Sequence, residues 1–484
     1  MYSFSPPKRQ ICAKNTFGEI LVKSSSNPVI QETVAPLTDI TPTIAPTIAL
    51  IDTDDLLTNH FLPQPSENPE MPTQYFNGSQ LIKLYNVPNI QVSSGKKQVK
   101  IVIITPYAYN GEKNASNGYL GWVNYDLEKY WYNYTNFGPA SNPPSEYGPG
   151  SNPPRVSVHT MPGATYRQDQ DYGLFECGCV QMVCTINPNA NIWVIEAKSD
   201  SLTDILAAVE YANNNLKADV VSLSWGNSNE VKLSTTTNNS YFTNKSICYC
   251  ATSGELNTPF WPAVSTNCIA VGGTTLLWTP TSKNPNERTE FPWVYAGVGY
   301  SKTFIKPSYQ SGDDMYKLKI NTNSKRCIPD VSLVADNKSM IYIYCSYRNL
   351  YKYKHSNFWT LTGTSIATPI FAAIISIADQ LRFNKGKSAL TSVYSTTPLN
   401  PKDSIPSNNL QNYLYKTILT NETKYFADFN DIIIGNNNND GNIDYNVIDA
   451  MIANPKYYAG AGFDVASGIG SPNATALCND LLNI

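Results

Sequence analysis

The chain has 484 residues, 42% hydrophobic and 12% aromatic, enough apolar mass for a large buried core and too much for global disorder. Its 35 basic and 38 acidic side chains leave a formal net charge of −3, without the polycationic footprint that marks nucleic-acid binding. Charged residues make up only 15%, well below the ~25% of ordinary soluble domains, so the surface should lose little when carboxylates protonate in acid.

Residues 1–70 read as a flexible tail or linker, with Thr41 to Ile48 punctuated by proline and threonine and with Pro63, Pro65 and Pro69 following. No apolar signal region stands at the amino terminus, which favours a cytosolic or virion-associated protein. No apolar run reaches the about 18 residues of a membrane span; the longest is Ile370 to Ala378. From 71 to 484 the pattern is α/β. Val99 to Thr105 is a buried strand, Gly173 to Ile186 a helix, and Ile192 to Ile195 a second strand. Asp204 to Leu216 is a helix with Ile205, Val209 and Ala212 along one side, and Asp219 to Ser224 a third strand. The polar stretch Gly226 to Ser246 reads as a surface insertion, before strands at Ile247 to Ala251 and Ile269 to Gly273. Strands alternating with helices imply a mostly parallel central sheet with helices on both faces, its function at the carboxyl ends of the strands.

The ten cysteines include the pairs Cys177/Cys179 and Cys248/Cys250, and none of His60, His159 and His355 stands beside them. Buried, reduced thiols are therefore expected rather than zinc. His159 and His355 read as surface or loop residues, and the tract Tyr342 to Tyr353 as edge-strand and cleft packing.

The sharpest local signal is Thr362, Gly363, Thr364 and Ser365, followed by Pro369 and an apolar helix. Glycine permits a tight turn, and the helix terminus places free N–H groups and a positive dipole end beside a nucleophile. Further blocks accompany it in order: Leu81 to Pro88, Ser222 to Gly226, Thr252 to Glu255, Trp261 to Ser265, Ala270 to Thr275, Pro307 to Gln310 and Pro329 to Ser332. Together they resemble the sedolisin family of serine-carboxyl peptidases, over about Gln80 to Leu482. The resemblance implies a subtilisin-like fold, serine-type endopeptidase chemistry at Ser365, a substrate cleft along Ser224, Trp225 and Gly226, and a peptide or protein as substrate or ligand. It implies no nucleic-acid or membrane partner. It also implies one Ca²⁺ ion held by Asp431, Ile432, Gly460, Gly462 and Asp464, a set of hard oxygen donors suited to that ion.

The catalytic acids depart from that pattern. The family places a general-base Glu and, one helical turn later, an Asp on one helix; counting back from Pro188, those positions hold Phe175 and Cys179. Sliding by one brings in Glu176, whose i+4 partner is then Val180, so neither register puts two acids on one face. The family's oxyanion Asp is replaced by Glu255, one methylene longer. Two readings stay open: a pseudopeptidase with reduced or lost activity that binds peptides or serves structurally, and an active endopeptidase using Ser365, Glu255 as oxyanion donor and Glu176 as base.

Overall fold

The computed structural model describes residues 45–46, 73–109, 122–134, 152–164, 170–228, 230, 240–280, 284, 287–311, 324–345, 358–394, 405–437 and 457–484. The first elements are β1 (Ala45–Pro46), β2 (Gln74–Phe76), α1 (Gly78–Leu84), β3 (Lys100–Thr105) and α2 (Trp122–Tyr134). Next come β4 (Val156–Thr160), α3 (Gln170–Ile186), β5 (Asn191–Glu196), α4 (Leu202–Tyr211), β6 (Val220–Leu223), β7 (Trp225–Gly226) and β8 (Cys248–Thr252). Then follow β9 (Ile269–Trp278), β10 (Arg288–Pro292), β11 (Gly299–Ile305), β12 (Lys325–Ile328), β13 (Val331–Val334), β14 (Ser339–Tyr344), β15 (Phe358–Leu361) and α5 (Thr364–Asn384).

Eight strands build the central sheet in the order β10-β9-β8-β6-β3-β5-β4, with β13 also on β9. All of its pairings are parallel except β10 on β9. Alternation along β3 divides the core: Ile101 and Ile103 pack with α1, α2, α3 and α5, whereas Val102 and Ile104 face α4. Helices thus cover both faces, as parallel strands require.

The expected helix Gly173 to Ile186 begins earlier, at Gln170, and Asp204 to Leu216 divides into α4 and a π-helical turn at Ala212–Leu216. Helix α5 extends the nine-residue apolar run to 21 residues and, by length and composition, would suit a membrane span. Here 94% of that window is buried inside the protein, so the helix forms the core. The polar stretch after Gly226 is described only at its ends. Of these, Glu230 is buried, accepting hydrogen bonds from Ser301 Oγ at 2.6 Å and Thr303 Oγ1 at 3.0 Å. His159 lies on β4 rather than in a loop, its ring stacked on Tyr211 at 4.0 Å; His60 and His355 fall outside the described residues. Tyr342 on β14 stacks on Tyr75 and Tyr134, while the rest of its aromatic tract beyond Cys345 is also outside them.

Asp330, in one of the recurring blocks, is a structural staple. Its carboxylate accepts from Ala270 N at 2.7 Å, Arg326 Nη2 at 2.5 Å and Tyr415 Oη at 2.7 Å, all buried. Removing one partner of so enclosed a pair would leave an uncompensated charge.

Candidate active site

Strand β15 hands the chain to α5 through Gly363, whose φ of +114° only glycine adopts comfortably. Close approach demands glycine as well: a β-carbon there would lie 2.6 Å from Glu255 Oε1 and 2.9 Å from Ser365 Oγ. The carboxyl and the hydroxyl therefore border the same small space. Gly363 N donates to Ala335 O at 2.7 Å. Thr364 Oγ1 donates to Gly254 O at 2.9 Å and meets Thr252 Oγ1 at 2.6 Å, tying the first turn of α5 to the end of β8.

Ser365 is the second residue of α5 and is buried. Pro369 is not in the first turn, as the sequence suggested, but inside the helix. Having no N–H, it leaves the Ser365 carbonyl without its i+4 donor, and the Cys179 thiol approaches that oxygen at 4.0 Å. Among the described residues, Ser365 Oγ makes no hydrogen bond to a carboxylate or imidazole.

Glu255 follows β8 and is buried, its carboxyl accepting from Thr364 N–H. Burial pushes its pKa well above the ordinary carboxylate range, the hydrogen bond opposing this only in part. Burial thus favours the protonated carboxyl, the form that can donate a hydrogen bond.

Helix α3 carries Phe175, Glu176 and Cys179, all buried. Glu176 Oε2 accepts from Thr105 Oγ1 at 2.8 Å, at the carboxyl end of β3. Thr105 is in register with Glu196 on β5, whose carboxylate accepts from Tyr109 N at 2.7 Å and from Thr160 Oγ1. Burial first and the nearby Glu196 second raise Glu176 well above the usual range. Cys179, rather than Glu176, approaches the Ser365 backbone; burial pushes its thiol up to about 12, Glu176 adding to the rise and a hydrogen bond with Ser224 opposing it. Sequence reasoning missed Glu196 and Thr105. The available signal was position, since both close parallel strands at the sheet edge where function gathers.

Trp225 turns its indole into the second core, 6.2 Å from Trp261, and Ser224 is also buried. The backbone of this stretch is paired on both sides. On one side Asn227 exchanges hydrogen bonds with Trp261; on the other, Ala45 and Pro46 pair antiparallel with Gly226 and Trp225.

The loop at 460–468 gathers the two expected acids. Gly462 N donates to both oxygens of Asp431, at 3.1 and 3.0 Å. Asp464 accepts from Gly460 N at 2.9 Å, Ala466 N at 2.9 Å, Ser467 N at 2.8 Å and Ser467 Oγ at 3.0 Å. Gly462 has φ of +83°, whereas Gly460 has ordinary φ and open space where a side chain would project. Burial raises Asp464 up to about 7 against these hydrogen bonds, and no Lys or Arg pairs with it among the described residues. Both carboxylates are thus held by backbone N–H groups of the same loop.

Residues 159–430 match the subtilase family (peptidase S8), a span holding α3, Ser224 to Gly226, Glu255 and Ser365. Sedolisin of Pseudomonas sp. (strain 101) is 31% identical over 149 residues, 29% of this chain and 23% of that protein. Tripeptidyl-peptidase 1 of Rattus norvegicus is 26% identical over 249 residues, 49% of this chain and 35% of that protein. The matches thus span about a third or less of those relatives' length. The solved structure of Pseudomonas sedolisin, a serine-carboxyl proteinase complexed with pseudo-iodotyrostatin, aligns with a TM-score of 0.58 at 20% identity. It covers 85% of this chain and 99% of that one, and shows a shared fold.

Proposed function

The chain belongs to the subtilase family, and we propose that it is a sedolisin-like member with a peptide-binding cleft and reduced or lost endopeptidase activity. The observation that carries this reading is the surroundings of Ser365. Attack by a serine hydroxyl needs a base within hydrogen-bond reach that can later protonate the leaving amine. Glu176 Oε2 accepts from Thr105, and the α3 side chain that approaches the serine backbone is a thiol held at high pKa. Where nucleophile and base act as a unit, lacking the base costs about 10⁴-fold or more.

The remaining parts favour a cleft that still binds. Glu255 supplies a buried carboxyl beside Ser365 Oγ, and the edge of β7 already pairs with an extended segment of this chain, Ala45–Pro46, whose place a bound peptide would take. We also place one Ca²⁺ with the carboxylates of Asp431 and Asp464 and the carbonyls of Ile432, Gly460 and Gly462. The ion would supply positive charge beside the half-buried Asp464.

The deciding experiment compares the native protein with a variant carrying Phe175→Glu, Cys179→Asp and Glu255→Asp. The native protein should cleave denatured protein weakly or not at all in acid, and the variant should gain cleavage that Ser365→Ala abolishes. Stoichiometric labelling of native Ser365 by a peptide aldehyde, together with efficient cleavage, would overturn the reading in favour of Glu176 as a working base.

A further inference from the structure

Behind the candidate active site, four separate segments send polar side chains to one buried point. Tyr109 comes from the chain after β3, Asp126 from α2, Cys177 from α3 and Cys345 from the residue after β14. Tyr109 Oη donates to Asp126 Oδ2 at 2.8 Å and lies 3.4 Å from Cys345 Sγ, and Cys177 Sγ donates to Asp126 Oδ2 at 3.4 Å. One ligand atom from each of Asp126, Cys177 and Cys345 lies within 4.8 Å of the others, and both cysteines are free thiols. All four side chains are at most 2% exposed. Gly173 makes room for the group, since a β-carbon there would lie 2.3 Å from the Tyr109 ring.

We propose that Asp126, Cys177 and Cys345, with Tyr109 Oη at the fourth corner, form a structural zinc site. Zinc–sulfur bonds of about 2.3 Å and zinc–oxygen bonds of about 2.0 Å in a tetrahedron put sulfur and oxygen about 3.5 Å apart. The two sulfur–oxygen contacts, both 3.4 Å, meet that spacing. Two thiolates select a soft or borderline ion over calcium or magnesium, which separates this site from the loop at 460–468. Binding releases both thiol protons to solvent and leaves the complex of Zn²⁺, two thiolates and one carboxylate with a single negative charge. Complete burial leaves no open coordination position for substrate, so the ion serves structure rather than catalysis. Its effect is to lock α3, which carries Glu176 and Cys179, against α2 and β14.

The test counts zinc in the full-length protein produced with zinc supplied, then exchanges in cobalt(II). One zinc per chain is expected, with a thiolate-to-cobalt charge-transfer band in the exchanged protein. Cys177→Ser with Cys345→Ser should lose the metal, Asp126→Asn should weaken it at least about tenfold, and Cys248→Ser with Cys250→Ser should retain it. Substoichiometric zinc without the cobalt band overturns the proposal, as does zinc retained by the Cys177/Cys345 double variant. A disulfide between those two cysteines in the protein as isolated would also refute it. Should the double variant fail to fold, the native protein still decides: both thiols should resist alkylation until the metal is stripped, and equal reactivity before and after would refute the site.

Discussion

Asp464 offers a perturbation whose size can be worked from its hydrogen bonds. Replacing it by alanine removes the acceptor for three backbone donors, Gly460 N, Ala466 N and Ser467 N, besides any calcium. At about 1 kcal/mol for each amide, the loop loses about 3 kcal/mol before the ion is considered. Calcium at a hundred times its dissociation constant adds about 2.7 kcal/mol to the native protein. With about 2 °C per kcal/mol for a domain of this size, melting in chelator should fall about 5 °C below that in calcium. Asp464→Ala should melt about 6 °C lower still and ignore calcium. Asp464→Asn, which keeps Oδ1 for Ala466 and Ser467, should fall between the two and be equally blind to calcium. Differential scanning calorimetry of the three proteins, with calcium and with chelator, reads these shifts. Coincident melting of Asp464→Ala and native protein in chelator would refute the carboxylate's organising role, and a native melting point indifferent to calcium would remove the ion.

Three further outcomes are expected. Gly363→Ala places a methyl group where Glu255 and Ser365 now meet and strains a backbone at φ +114°, so it should destabilise by about 1–3 kcal/mol and abolish peptide-aldehyde binding, measured calorimetrically. Glu255 has a folded pKa raised by burial above its ordinary value of 4.5, so its contribution to stability is complete below that pH and lost as pH rises through the folded value. Melting of native protein relative to Glu255→Gln should therefore decline as pH rises above 4.5, and a constant difference would contradict the raised pKa of the buried carboxyl. Deleting residues 1–70 should leave the melting of the remainder unchanged and strengthen peptide binding by freeing the edge of β7, whereas failure to refold would make the tail part of the folding unit.

Local pattern was enough for the scaffold. The β-branched run Val99 to Thr105 sits within two or three bonds of its structural cause, since alternation along one strand assigns Ile101 and Ile103 to one core and Val102 and Ile104 to the other. Gly363 and Ser365 were legible for the same reason, the turn and the helix start being properties of adjacent residues. So was the absence of an i,i+4 acid pair around Phe175, Glu176 and Cys179, because helix geometry converts sequence spacing directly into a face. Tertiary structure decided what each of those side chains meets. Glu176 finds Thr105, 71 residues away, and Glu196 beside it only because β3 and β5 pair in the register that aligns their ends. Cys177, read from its C-x-C spacing as an ordinary buried thiol, meets Asp126 from 51 residues upstream and Cys345 from the residue after β14. Periodicity specifies which face of an element is buried; the identity of the group waiting there depends on how the sheet orders and registers strands that are distant in the chain, and that information resides in the packing of the whole domain.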